Sequence, residues 1–194
     1  FLQFINESSD SAFAAELDQF LDIDAFATYL AFQDLVDNFD DIDGPGNNSY
    51  LHYDETTGIM TVVNWDLNLA FGTSNVDGGA GGQNRPGVGA GQDRAPVGGA
   101  PVGGEAGGAA GGAGGPSSGN VLSERFLDIP EFAALVAAAT TELTETLSTS
   151  GAAEQALAEW SAVLTTQADD LVSAATVAAE ADAVRASFAR YLAN

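Results

Sequence analysis

Cysteine and lysine are both absent from this chain of 194 residues, which has one histidine and one methionine. Without cysteine there is no disulfide, no thiolate nucleophile and no cysteine-ligated zinc or iron centre. A single histidine rules out a His-rich zinc site built from this chain alone. Without lysine a P-loop is excluded, because its lysine must reach the phosphates. Positive charge is scarce throughout: five arginines face 28 acidic residues, for a net charge of -23. Nucleic acid and anionic lipid need Lys and Arg to neutralise phosphates, so neither is expected as a direct partner. No apolar run approaches the roughly 18–20 residues of a membrane span. The chain opens at Phe1 with no charged segment ahead of an apolar stretch, so no signal peptide is visible. That opening reads as an internal cut, and the chain as a fragment of a longer protein.

What is present falls into three zones. Residues 1–76 mix apolar residues with 14 acids and contain no Lys or Arg. Residues 77–119 hold 18 of the 23 glycines, including APVGG twice in tandem. Residues 120–194 are rich in Ala, Leu, Thr and Glu. The middle zone cannot bury enough apolar surface to offset the entropy of ordering, and reads as a flexible, disordered insertion or linker. Its GVGAG run lacks the preceding strand and following helix of a phosphate-binding loop.

Within the first zone, Phe13, Leu17, Phe20 and Leu21, then Phe26, Tyr29, Leu30 and Leu35, recur at spacings of three and four. That is the period of amphipathic helices, and Asp22 or Asp24 can cap the second. The period then changes. SYLHYD and GIMTVVNW, joined by DETTG, predict a β-hairpin with Gly58 in its loop. In the third zone Pro130 suits a first helical turn after a cap at Asp128. Phe132, Leu135, Val136, Leu143 and Leu147 form an apolar stripe. Two further helices, through Leu157, Trp160 and Leu164 and through Val177, Val184, Phe188 and Leu192, are expected to pack as a bundle. The fold class is therefore α+β and mostly helical, with one hairpin.

Two Asp/Asn clusters flank that hairpin: Asp43 and Asn48 before it, Asp66 and Asn68 after it. Turn chemistry alone explains Asp and Asn at such places. Their order supports a second explanation. Asn48 follows Asp43 by five positions and Asp66 follows it by 23. In a protein kinase a catalytic Asp handles the acceptor hydroxyl, and an Asn and a second Asp hold metal on the phosphates. A hairpin between them brings both clusters to one end. Asp40 and Asp41 are expected on the solvated acidic face, and Trp65 and Phe71 as core anchors of the hairpin. His52, alone on a strand, reads as packed or hydrogen-bonded rather than as a general base. An EF-hand loop with Gly44 at its sixth position fails at both ends, Phe39 and Tyr50. No Gly-x-Ser-x-Gly elbow supports serine hydrolase chemistry. A carboxylate pair for glycoside cleavage stays open, being a matter of three-dimensional separation.

The combination of Asp43-Gly44, Asn48-x-Tyr50-Leu51-x-Tyr53 and Trp65-Asp66-Leu67-Asn68-Leu69-Ala70-Phe71-Gly72 resembles the CotH kinase family, the spore-coat-protein-H-like atypical kinases. LDIDAFATYLAFQDLVDNFD before the loop and NVLSERFLDIPEF after the insertion fit as well. The resemblance spans most of residues 1–76 and the start of the third zone. It implies the C-lobe-like part of a kinase-like fold, with residues 120–194 in the same domain and 77–119 inserted. It implies ATP with Mg2+ or Mn2+, a protein substrate phosphorylated on Ser or another hydroxyl, and a secreted, cell-surface or spore-coat setting. Asp43 would be the catalytic Asp, and Asn48 and Asp66 the nucleotide-side metal ligands. Asn68 joins the metal set where the family commonly has a second Asp. A kinase also needs a lysine on the phosphates and a nucleotide-covering lobe. Either that lobe lies upstream of Phe1, which the internal start favours, or the chain is a catalytically inactive scaffold or coat protein. A calcium-stabilised acidic module is a third reading.

Overall fold

The computed structural model describes residues 1–72 and 120–192. The glycine-rich zone and its GVGAG run lie outside the described residues. The order is α1 (Leu2–Glu7), α2 (Asp10–Glu16), a 3-10 turn (Leu17–Gln19), α3 (Ile23–Leu35), β1 (Ser49–Asp54), β2 (Ile59–Asn64), α4 (Val121–Leu127), α5 (Pro130–Leu143), a π-helical turn (Thr144–Thr149), α6 (Ala152–Gln167) and α7 (Ala174–Leu192). The architecture is α+β, as expected.

Helix α3 is the centre. Asp22 caps it, accepting the Ala25 N–H at 3.0 Å. Phe26, Ala27, Tyr29, Leu30, Ala31, Gln33 and Leu35 are all buried, so the helix is enclosed on most sides, with α5 and β2 packed against it. The core runs from α1 to α5 through Ile5, Phe13, Leu17, Leu21, Phe26, Ile42, Val62, Leu122, Phe126 and Phe132. Phe126 meets Phe26 edge-on at 4.9 Å and stacks on Phe132 at 4.7 Å. Residues from both sides of the glycine-rich stretch therefore share one apolar interior. Arg125 fastens α4 to the N-terminal helices. It donates to the carbonyls of Ile5 and Ser8, each at 2.8 Å, and to Asp10 at 3.1 Å, and lies 4.2 Å over the Phe13 ring.

Strands β1 and β2 pair antiparallel, from Ser49 opposite Asn64 to Asp54 opposite Ile59. Gly58 takes φ +78° in the connecting turn, a region that glycine enters without a Cβ penalty. The hairpin is tied to the helices by Leu21, which bridges to Met60. Backbone bonds from Asp22 to Met60 at 2.9 Å and from Met60 to Phe20 at 2.7 Å complete the tie. His52 lies on β1 opposite Thr61 with its side chain exposed, not packed as expected, because this face of the two-stranded hairpin has no layer over it.

Four further expectations need correction. Asp128 does not cap α5. It is the C-cap of α4, and Ile129 precedes Pro130 without a side-chain cap. Trp65 is 61% exposed rather than a core anchor, because it lies past the end of β2, where its partner is the rim residue Tyr50 at 5.8 Å. Phe71 is half-buried and packs on Phe188 of α7 at 5.5 Å. The Leu157, Trp160 and Leu164 stripe of α6 is not bundle core. No residue of α6 is buried and Trp160 is 67% exposed, since one neighbouring helix, α7, and the π-helical turn cannot cover it. The fourth correction concerns Asp40 and Asp41, which are buried in the loop that leads to the site.

The candidate phosphoryl-transfer site

The loop after α3 is built from its own polar groups. Asp41 accepts the Gly44 N–H at 2.8 Å. Asp40 accepts the Asn47 side-chain amide at 2.9 Å, and its carbonyl accepts the Asn48 N–H at 3.0 Å. These carboxylates leave water because the tight turn offers unpaired backbone donors, and a carboxylate is a strong acceptor for them. Tyr29 reaches from α3 to accept the Ile42 N–H at 3.2 Å. Burial pushes the Tyr29 hydroxyl up to about 12. A chain of side-chain amides, buried at Gln33 and Asn38, supports the same loop from behind. Gln33 donates to Asn64 at 2.6 Å, and Asn38 donates to Gln33 at 2.8 Å.

The segment after β2 zips onto the start of this loop. Phe39 donates to the Leu69 carbonyl at 2.9 Å, Gly72 to Asp37 at 3.2 Å, and Phe71 to Val36. The backbone is forced to positive φ at Asp37 (+49°), Asp66 (+36°) and Phe71 (+58°). Asp tolerates that region, whereas for a bulky residue such as Phe it is an outlier. Such strain persists only where the surroundings over-determine it.

The ladder also extends past β2, with the Trp65 N–H donating to the Asn48 carbonyl at 3.1 Å. This places the second cluster beside the first. Asn48 is buried, and its amide points to Asn68 Oδ1 at 3.5 Å. Asp66 accepts the Asn68 N–H at 3.0 Å in a turn of its own and is exposed. Asp43 is half-buried at the bend of the first loop. Its Oδ1 accepts a hydrogen bond from Ser123 Oγ at 2.8 Å. Ser123, on α4, was not singled out in the sequence. Its only signal there is its place within NVLSERFLDIPEF.

Among the described residues no three His, Cys, Asp or Glu side chains gather into a metal-binding group. Asn48, Asp66 and Asn68 offer one carboxylate and two amide oxygens. Those are hard donors that suit Mg2+ or Mn2+ when nucleotide phosphates supply the remaining charge. Among the described residues, neither arginine side chain contributes. Arg125 is held by α1 and α2, and Arg185 by Glu154 and Asp182. No helix among the described residues is long and apolar enough to cross a membrane.

Neither a curated protein nor a solved structure matches the chain at a significant level. The family profile described as CotH kinase protein matches residues 1–184. The match extends through α6 and into α7, well past the start of the third zone, where the motif resemblance stopped. On that match, covering nearly the whole length, the chain belongs to the CotH kinase family.

Proposed function

We propose that the chain is the C-lobe-like portion of a kinase-like protein that transfers the γ-phosphoryl group of ATP to protein Ser or Thr hydroxyls. One domain would comprise residues 1–76 and 120–194, with 77–119 as an insertion. The observation that carries this is the Trp65–Asn48 backbone bond, which closes the hairpin so that both Asp/Asn clusters share one end. Asp43, on the loop entering that end, would orient the acceptor hydroxyl and take its proton. Asn48 and Asp66 would hold the divalent metal, with Asn68 beside them. The metal, when bound, neutralises charge developing on the phosphates. Without it, an acidic surface would repel ATP.

The test is γ-phosphoryl transfer from labelled ATP by the full-length protein and by Asp66→Ala. Loss of transfer with the fold retained is expected: Asp66 is exposed and makes only a local turn bond, so the melting temperature should fall only by the cost of losing that bond and placing Ala at φ +36°. Transfer at the wild-type level by Asp66→Ala would sink the assignment.

A second reading keeps the fold and drops the chemistry: an inactive kinase-like scaffold or a surface or spore-coat structural protein. It is favoured by Asn68 and by the commitment of both described Arg side chains to carboxylates elsewhere. Failure of a fluorescent ATP analogue to bind the full-length protein in Mn2+ would favour it.

A further inference from the structure

We propose that Ser123 is the positioning residue for Asp43, so that the acceptor-handling carboxylate is held from the far side of the glycine-rich stretch. This rests on the phosphoryl-transfer reading above. Ser123 is fully buried and 80 positions from Asp43, yet its hydroxyl lies 2.8 Å from Asp43 Oδ1.

That bond is not needed to satisfy the serine. Ser123 Oγ is also 3.0 Å from the Asn120 carbonyl, three residues back. Serines in a first helical turn ordinarily find such local partners. A hydroxyl has one proton to donate. Between a neutral carbonyl and a carboxylate, the charge-assisted bond is the stronger. Nor is the bond needed to satisfy Asp43, which is half-exposed and can meet water. What the bond adds is a fixed direction. A carboxylate at a loop bend has free rotamers, and one oxygen pinned by a rigid donor leaves the other oriented.

The donor is rigid because α4 is. Leu122 and Phe126, on either side of Ser123, are 2% and 0% exposed. Arg125 is clamped to Ile5, Ser8 and Asp10. The loop carrying Asp43 is equally supported, by Tyr29 at Ile42 and by Asp41 at Gly44. Two stiff pieces of chain thus meet at one hydrogen bond. Preorganisation of this kind matters because a displacement of about 1 Å at a reacting group can cost on the order of 100-fold in rate.

The experiment compares the full-length wild type with Ser123→Ala and Ser123→Thr, under saturating Mn2+ and ATP with a hydroxyl-bearing protein acceptor. Ser123→Ala is expected to lower kcat by about 10- to 100-fold while the KM for ATP stays unchanged. Ser123→Thr, which keeps the hydroxyl, recovers a measurable part of that loss. A merely structural role would move the melting temperature and both kinetic constants together, with Thr no better than Ala, and would overturn the proposal. The contact itself is read without nucleotide, by urea unfolding of Ser123→Ala, Asp43→Asn and the double variant. Non-additive midpoint shifts are expected, and strict additivity would overturn the contact. A full-length wild type without any transfer overturns the phosphoryl-transfer reading and the positioning role with it. In that case non-additivity marks the Ser123–Asp43 bond as a structural tie.

Discussion

Gln33 and Asn64, 31 positions apart, meet at 2.6 Å between the last turn of α3 and the last residue of β2. Gln33 is 1% exposed and also accepts from Asn38, itself 0% exposed, at 2.8 Å. One glutamine therefore joins the end of the hairpin to the loop that leads to Asp43. Removing it takes the Gln33 acceptor from the buried Asn38 amide and the Gln33 donor from Asn64 at the exposed rim. A buried polar group so orphaned costs about 1–3 kcal/mol. Gln33→Leu, which keeps the volume and deletes both bonds, is expected to lose about that much or more in urea unfolding. Asn64→Ala, at the exposed rim, is expected to lose less.

Tyr29 gives a prediction in pH. Burial raises its hydroxyl from the ordinary 10 to about 12 in the folded protein. Folding therefore favours the protonated phenol. The contribution is complete below about pH 10 and is lost between about pH 10 and 12, where the unfolded chain has ionised and the folded one has not. The expected decline is about 1.4 kcal/mol per pH unit across that window. Tyr29→Phe should be less stable at neutral pH, since Ile42 N–H loses its acceptor, and should decline less steeply above pH 10. Denaturation midpoints at pH 9 and pH 11 for both proteins make the comparison. Parallel curves would place the titration elsewhere.

These two residues also mark where the sequence stopped being informative. The hairpin was legible because β-branched and aromatic runs flank a glycine turn, and α3 because its apolar residues repeat with a helical period behind Asp22. That Asn48 lies beside the Trp65–Asn68 segment followed from the hairpin. Gln33, Asn38 and Asp40 were illegible for one reason: a buried polar residue is identified by its partner, and the partners lie in other elements. Asp41 is similar, since nothing in a run of acids reveals that one caps a turn. Ser123 was hidden by distance, its partner lying beyond the glycine-rich stretch. Trp65 failed in the opposite direction, because its size suggested burial while its position past the end of β2 put it at the rim.

Gly44 follows Asp43 and has no room for a side chain. A Cβ built there falls inside contact distance of the Phe39 carbonyl oxygen, a backbone atom, and 3.1 Å from Asp41 Oδ1. A flexible side chain can yield, but a backbone carbonyl inside a bonded loop cannot. Gly44→Ala should therefore cost about 1–3 kcal/mol in urea unfolding, the range for overpacking. On the proposed function, it should also displace Asp43 and depress phosphoryl transfer beyond what the stability loss explains. Gly151→Ala is the control, because no atom lies within 4 Å of its added Cβ. Its cost should be limited to the roughly 1–2 kcal/mol of a side chain at positive φ, with transfer unchanged.

Asn68 is where the metal set of the proposed site is weakest, and strengthening it is a sharper test than removing it. Its Oδ1 faces the Asn48 amide at 3.5 Å and its N–H is held by Asp66 at 3.0 Å, so its side chain already lies among the proposed ligands. Asn68→Asp changes one atom and adds a charge. Without metal, the new carboxylate still accepts from the Asn48 amide but sits near Asp66, so stability should change little or fall slightly. With metal the sign reverses, because affinity for a hard cation rises with the charge of its ligands. Mn2+ binding in the presence of a non-hydrolysable ATP analogue should tighten by about tenfold, equivalent to about 1.4 kcal/mol. The gain should vanish when Asp66→Ala is combined with it, since both carboxylates would serve one ion. A gain that survives without Asp66 would reflect general attraction to an acidic surface, and no gain at all would remove Asn68 from the metal set.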